Sequence, residues 1–230
     1  MTLERIVASL VEKAERHFYG KYRGIVVDNE DPHRMGRLKL KVPSVLGQDV
    51  VTGWATPCAP YGGAADQGFL FVPERDAGVW VEFEEGDLEF PIWVGTFWSR
   101  HDSGSQLPKP AADDGTEQDE VQDPPTRKII TTLKGHTLQL EDADDAETIL
   151  LREGSQGHLI TMNRTGITIV DKSQNTILLS EDGIQITDAT GNAIEMTDSA
   201  FTLTAKVAFT IDAAGQPVTI VADSIDLKKG

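Results

Sequence analysis

Gly166-Ile-Thr-Ile, Gly183-Ile-Gln-Ile and Ala200-Phe-Thr-Leu repeat one short phrase at a fixed step, from 166 to 183 to 200. A second phrase keeps the same step: His158-Leu-Ile-Thr-Met, Asn175-Thr-Ile-Leu-Leu and Asn192-Ala-Ile-Glu-Met. Ile, Leu, Val and Thr alternate within each phrase, and Gly, Asn or Asp stands at the joints. This is the pattern of very short strands divided by turns. A fixed step of such strands builds a stack that grows along one axis. An earlier echo, His136-Thr-Leu-Gln-Leu, and a later one, Gln216-Pro-Val-Thr-Ile, lie at the longer steps 136 to 158 and 192 to 216, so their flanking turns are expected to carry insertions. The repeat predicts an all-β region over residues 127–230.

A lone ribbon of strands about four to six residues long has no second layer against which to bury its apolar side. One chain can coil into a solenoid, or several copies can wind round a shared axis and each supply one wall. A solenoid here would have only about four or five coils of about 20 residues or more. It would also lack the aromatic or Asn ladders that often fill such coils. Three copies triple the strand count and bury every inward residue, so burial favours a homotrimeric prism. The side chains expected on its axis are Ile160, Ile167, Ile169, Ile177, Leu179, Ile184, Ile186, Ile194, Met196 and Leu203.

Before the repeat, residues 99–126 hold Pro108, Pro110, Pro124 and Pro125 among Asp113, Asp114, Glu117, Asp119, Glu120 and Asp123. This composition predicts an extended, self-repelling linker, too short to contain an inserted enzyme domain. Over residues 22–98 the apolar period is two. Arg23-Gly-Ile-Val-Val, Gly36-Arg-Leu-Lys-Leu-Lys-Val, Gly53-Trp-Ala-Thr, Gly68-Phe-Leu-Phe-Val, Gly78-Val-Trp-Val-Glu-Phe-Glu and Pro91-Ile-Trp-Val-Gly-Thr-Phe-Trp read as strands. All four tryptophans, at 54, 80, 93 and 98, lie in this block, which predicts a small closed barrel with a dense aromatic core. In the first segment, residues 1–21, Leu3, Ile6, Val7, Leu10, Val11, Ala14 and Phe18 share one helical face. The expectation is an amphipathic helix over 2–19 that docks on its own barrel or on a partner.

Composition narrows the function. A formal net charge of −16 repels phosphate backbones and anionic lipid surfaces, which argues against nucleic acid as a partner. Three copies would carry −48 (three times −16), which favours solubility. Cys58 is the single cysteine, so no intrachain disulfide forms, in keeping with assembly in a reducing cytoplasm; between Pro57 and Ala59 it reads as a small packing residue. Met1 to Lys21 lacks the apolar stretch of a secretory leader, and no run of about 18 apolar residues is present.

Two motifs resemble a known family. Tyr22-Arg-Gly-Ile-Val-Val-Asp-Asn-Glu-Asp-Pro, with Met35-Gly-Arg-Leu-Lys-Leu-Lys-Val-Pro, is similar to the opening of the spike barrel of contractile injection machines. Val79-Trp-Val-Glu-Phe-Glu-Glu-Gly-Asp, with Pro91-Ile-Trp-Val-Gly, is similar to its close. Asp31, Pro32, Gly36 and Arg37 carry the first motif. Val79, Trp80, Gly86, Asp87, Pro91, Trp93 and Gly95 carry the second. The family is the baseplate assembly protein V family of phage tails. Its relatives are the Val-Gly-repeat spikes of type VI secretion and the spikes of extracellular injection particles. The resemblance implies an OB-fold, then an intertwined trimeric β-helix forming a needle. It also implies a hub protein above, often a conical tip protein below, and transient contact with a target-cell envelope. The sequence departs from some relatives. No lysozyme domain follows the barrel, no His-x-His pair marks a tip iron site, and no large hub region precedes the barrel. Hub and tip are therefore expected to be separate proteins, and assembly in the producer cytoplasm is expected to precede action outside the cell.

Catalytic and ligand chemistry finds little purchase. Glu82, Glu84, Glu85, Asp87 and Glu89 crowd one turn and read as solvated hairpin carboxylates rather than a paired-acid cleft. Asp142, Asp144, Asp145 and Glu147 lack the central Gly of a calcium loop. Histidines 17, 33, 101, 136 and 158 have no ligand spacing. On a threefold axis His136 or His158 would appear three times, but turn positions are the better reading. No nucleophile elbow is present, and no cofactor or metal is expected. The reading that follows is a non-enzymatic homotrimeric spike. The alternatives are a monomeric polysaccharide-active solenoid enzyme and a carbohydrate-binding adhesin whose barrel holds a sugar.

Overall fold

The computed structural model describes residues 4, 5, 7, 17–99, 104–118 and 125–228. They divide into two compact units, Met1–Leu107 and Pro108–Gly230.

The first unit is built on a five-stranded sheet in the order β2-β1-β4-β5-β3, from β1 (Tyr22–Asp28), β2 (Lys39–Lys41), β3 (Thr56–Pro57), β4 (Gly78–Phe83) and β5 (Pro91–Thr96). Pro43–Leu46 forms one short helix, α1, which starts on a proline whose missing N–H costs nothing at that position. The edges of the sheet approach each other. Leu38 bridges Ala55 and Lys41 bridges Val51, so the segment entering β3 pairs back on β2 and curls the sheet into an OB-like barrel. Alternation sets the core: Val79, Val81 and Phe83 of β4 point in, between the outward Trp80 and Glu82. They meet Val26, Leu38, Leu40, Val42, Ala55 and Trp93.

The second unit is one antiparallel meander of nine strands in sequence order: β6 (Arg127–Thr131), β7 (Thr137–Glu141), β8 (Thr148–Arg152), β9 (Leu159–Asn163), β10 (Gly166–Val170), β11 (Thr176–Ser180), β12 (Gly183–Thr187), β13 (Ala193–Met196) and β14 (Phe201–Thr204). The fixed step of the sequence is a hairpin repeat. One period holds strand β10, the wider turn 171–175, strand β11 and the tight turn 181–182, after which Gly183 starts the next. Gly183 opens β12 at φ +133°, and a Cβ there would meet the Met196 carbonyl oxygen at 2.0 Å. Gly166 stands in the same relation to Leu179. The repeating glycine is therefore required by the tight turn and by the adjacent backbone.

Several expectations are corrected. The aromatic core is largely aliphatic: Trp93 alone among the tryptophans is buried. Trp80 lies outside against Phe97 and Arg23, Trp54 lies beneath Arg37 and Lys39, and Trp98 is exposed. An alternating strand sends its odd and even positions to opposite faces, and Trp80 falls on the solvent side. The segment Gly68–Val72 is not a strand; Phe69, Leu70 and Phe71 are exposed in a loop whose backbone reaches only from Phe69 N–H to the Tyr61 carbonyl. Cys58 is exposed rather than packed. The Gln216 echo forms no strand, and residues 205–228 contain none, because no neighbouring segment of the chain pairs with them. The helix expected over 2–19 lies mostly outside the described residues: Glu4, Arg5 and Val7 are helical, whereas 17–19 are not. Within the expected linker, residues 108–118 belong to the second unit and fold back on its sheet.

Candidate functional site

The cross-strand register gathers the repeat's apolar residues on one face. Ile167 pairs with Leu179 and Ile169 with Ile177. Ile177 pairs with Ile186 and Leu179 with Ile184. Ile184 then faces Met196 and Ile186 faces Ile194, which pairs with Leu203. Ile160 joins through Ile169. All ten residues expected on an axis thus share one face, two apolar side chains wide. The face runs further than the sequence reading placed it, through Met162, Ile149, Leu151, Leu140 and Leu138 on one side and Phe201 on the other. Period-two alternation in those strands was the available signal. Among the described residues of the single chain nothing covers this face. Ile167, Ile169, Ile177, Leu179, Ile184 and Ile186 remain 36–39 % exposed, and Leu203 55 %. A cavity of about 480 Å³ opens between Ile186, Ile194, Leu203, Val207 and Phe209, lined mainly by apolar groups with Asp188, Asn192 and Thr204 beside them. A contiguous apolar surface of this extent is unusual on a monomer and marks an association surface.

The opposite face is mostly polar, with Thr168, Ser180, Gln185 and Thr202 in the same registers. The turns along one edge are stitched together by the first residue of each repeated phrase. His136 Nδ1 accepts the Gly154 N–H (3.1 Å), and His158 Nδ1 accepts the Lys172 N–H (3.3 Å). Asn175 Oδ1 then accepts the Ala189 N–H (3.1 Å), and Asn192 Oδ1 the Lys206 N–H (2.7 Å). The two histidines are therefore turn residues. Within each later turn an aspartate takes the loop amides: Asp171 those of Ser173 and Asn175, Asp188 those of Thr190 and Asn192. The Asn192 side chain, then the Thr190 hydroxyl, lowers the Asp188 carboxyl to about 2; the Asn175 side chain lowers Asp171 in the same way. For Glu141 burial acts to raise the pKa. The Thr126 hydroxyl, the Arg127 guanidinium (2.5 Å) and the Ala143 amide outweigh it and bring the carboxyl to about 2.

On the barrel, the first motif closes a loop. The Asp31 carboxylate accepts two bonds from the Arg37 guanidinium, 3.0 Å from Nε and 2.7 Å from Nη2, together with the His33 and Met35 amides. The paired guanidinium, aided by those amides, holds Asp31 far below the usual carboxylate range. Pro32 leads the turn, and the Gly36 carbonyl accepts the Trp93 indole N–H at 3.2 Å, which ties the loop to β5. The second motif lies elsewhere on the barrel. Val79 and Trp80 lie on β4, Pro91 starts β5, and Gly95 sits where the β4–β5 register slips at a bulge. Gly86 and Asp87 form the β4–β5 turn, where the Gly86 carbonyl accepts the Phe18 N–H (2.8 Å) and a Cβ on Gly86 would crowd His17, Phe18 and Tyr19. Phe18 packs on Tyr22 and Phe83, so this residue of the expected amphipathic stripe docks on its own barrel. The residues of the two motifs thus build and brace the barrel. Glu84, Glu85 and Glu89 are exposed on the turn. Among the described residues no helix is long and apolar enough to cross a membrane.

A comparison with curated proteins returns no match. Residues 22–98, about a third of the chain, match the family model of the type VI secretion system/phage-baseplate injector OB domain, so the barrel is similar to that of the baseplate spike family of contractile injection systems.

Proposed function

We propose that the protein is the homotrimeric central spike of a contractile injection baseplate, acting without catalysis. The family is a structural one of baseplate components, which supports a place in a tail-like particle. The observation that carries the finer reading is the apolar ladder of the meander, regular over the eight strands β7–β14 and left open on one chain. Three copies facing one another supply the missing interior, with the polar face outward. The strandless tail over 205–228 supports the same reading: Val207, Phe209, Ile211, Val218 and Ile220 alternate with smaller or polar residues yet are exposed. Wound copies form a β-helical needle whose strand edges pair continuously, and such a shaft transmits axial thrust when a sheath contracts and so breaches an envelope. The barrel seats against a separate hub protein, and a conical tip protein caps the far end. Light scattering on the purified protein tests this: a particle of three times the chain mass is expected, whereas a folded 25.1 kDa species overturns it.

A further inference from the structure

We propose that the acidic segment 109–118 is an internal cover that lets strands β7–β9 fold within one chain, so that the base of the ribbon nucleates assembly while β10–β14 depend on neighbouring copies. The inference rests on the trimeric reading above. Gln139 is a polar side chain only 2 % exposed. Its amide oxygen accepts the Ala111 N–H and its amide nitrogen donates to the Ala111 carbonyl, both at 2.8 Å, so it pairs with the segment as a strand backbone would. The segment is itself a small hairpin: Ala111 bridges Glu117, the Ala112 N–H bonds the Thr116 carbonyl and the Gln118 N–H the Pro110 carbonyl. Asp113 spans two strands: its carbonyl accepts the Thr161 hydroxyl of β9 (2.9 Å), and its carboxylate accepts the Asn163 amide of β9 (2.8 Å) and the Thr148 hydroxyl of β8 (3.3 Å).

Beneath this hairpin lie Leu150 and Leu159, on the mostly polar face of the sheet, packed on Ala111 and fully or nearly buried, with Val170 against them. Without the cover that face would expose a second apolar patch at the base and compete with the ladder for partners. With it, β7–β9 have a layer on one side in the single chain, and only the ladder face stays open. Beyond Val170 of β10, which packs against that cluster, strands β10–β14 have no such layer among the described residues; β10–β12 alternate between half-buried and exposed, β13 is half-buried throughout and β14 is mostly exposed. A single sheet without a second layer is not independently stable, and local opening follows such differences in burial.

Hydrogen exchange on the full chain carrying Ile186→Asp, which holds it apart from other copies, tests the cover. Amides of β8 are expected to stay protected at least 100-fold more than those of β11 and β12. Adding Gln139→Ala is expected to erase most of that protection across β7–β9 and to leave β11 and β12 unchanged. Uniform protection or uniform exchange along the ribbon overturns the inference, as does β8 protection indifferent to Gln139→Ala. Should Ile186→Asp remain a trimer, the axial reading fails on its own account. The cover is then read in that trimer, where Gln139→Ala must still raise exchange selectively in β7–β9.

Discussion

Ile186 lies in the middle of the ladder, with Ile177 and Ile194 beside it in the register, and is 39 % exposed in one chain. Full burial of such a side chain is worth about 1.5–3 kcal/mol. The share still open is therefore worth roughly 0.6–1.2 kcal/mol per copy, or roughly 2–3.5 kcal/mol over three copies. Ile186→Asp forfeits this and brings three carboxylates toward one axis, each buried without a partner at a cost of several kcal/mol. A loss of at least about 5 kcal/mol of assembly energy follows, more than three decades in the association constant at tenfold per about 1.4 kcal/mol. Light scattering and analytical ultracentrifugation at micromolar protein should show the particle of three 25.1 kDa chains replaced by smaller or aggregated species. Ile186→Leu, which conserves volume, should assemble at a cost below about 1.5 kcal/mol. Thr168→Asp, placed on the opposite face, should leave the mass unchanged. A trimeric, soluble Ile186→Asp protein refutes the reasoning, because no closed apolar interior accepts three unpaired charges.

Acid should loosen the repeat turns. Asp171, Asp188 and Glu141 have folded-state pKa values below their ordinary ones, so the folded state binds fewer protons than the unfolded. Their stabilisation is present above pH about 4.5 and is lost as the pH falls from there toward about 2. Thermal melts should show Tm falling through that window, and Asp188→Asn should flatten the fall. Gly183→Ala forces a Cβ into the Met196 carbonyl at a positive φ, with a strain cost of about 1–3 kcal/mol before the clash is counted. Denaturant titration should show the ribbon destabilised by at least that amount and the barrel unaffected. Asp31→Asn strips Arg37 of its bidentate partner and should lower the melting temperature of the barrel, with increased proteolysis near Arg34 and Arg37 and no change in assembly mass.

Much of the fold was legible because it is written in local periods. The fixed step of the repeat is a covalent count of strand plus turn, and alternation within each strand set which residues share a face before any partner was known. The barrel motifs were legible for a similar reason: Asp31 and Arg37 are close along the chain and bond within one loop. The misreadings are long-range. Period two says that Trp80 faces away from Val79 and Val81, but which face is the core depends on strands far along the chain, and aromatic content alone misassigned it. Gly68–Val72 is an apolar run like a buried strand yet pairs with no strand, and a strand exists only where another completes its hydrogen bonds.

The sequence alone therefore determined the strand lengths, the turn chemistry, the apolar ladder and the resemblance of the barrel, because each rests on neighbours close along the chain. Tertiary structure alone decided that residues 109–118 of the acidic stretch before the repeat form a packed hairpin. Its composition promised repulsion and extension, but Gln139, on a strand beyond the segment, supplies the two hydrogen bonds that hold it, and Leu150 and Leu159 supply the apolar floor. Charge repulsion between solvated carboxylates is a weak, screened effect. Buried hydrogen bonds and apolar contact outweigh it, and composition cannot reveal them.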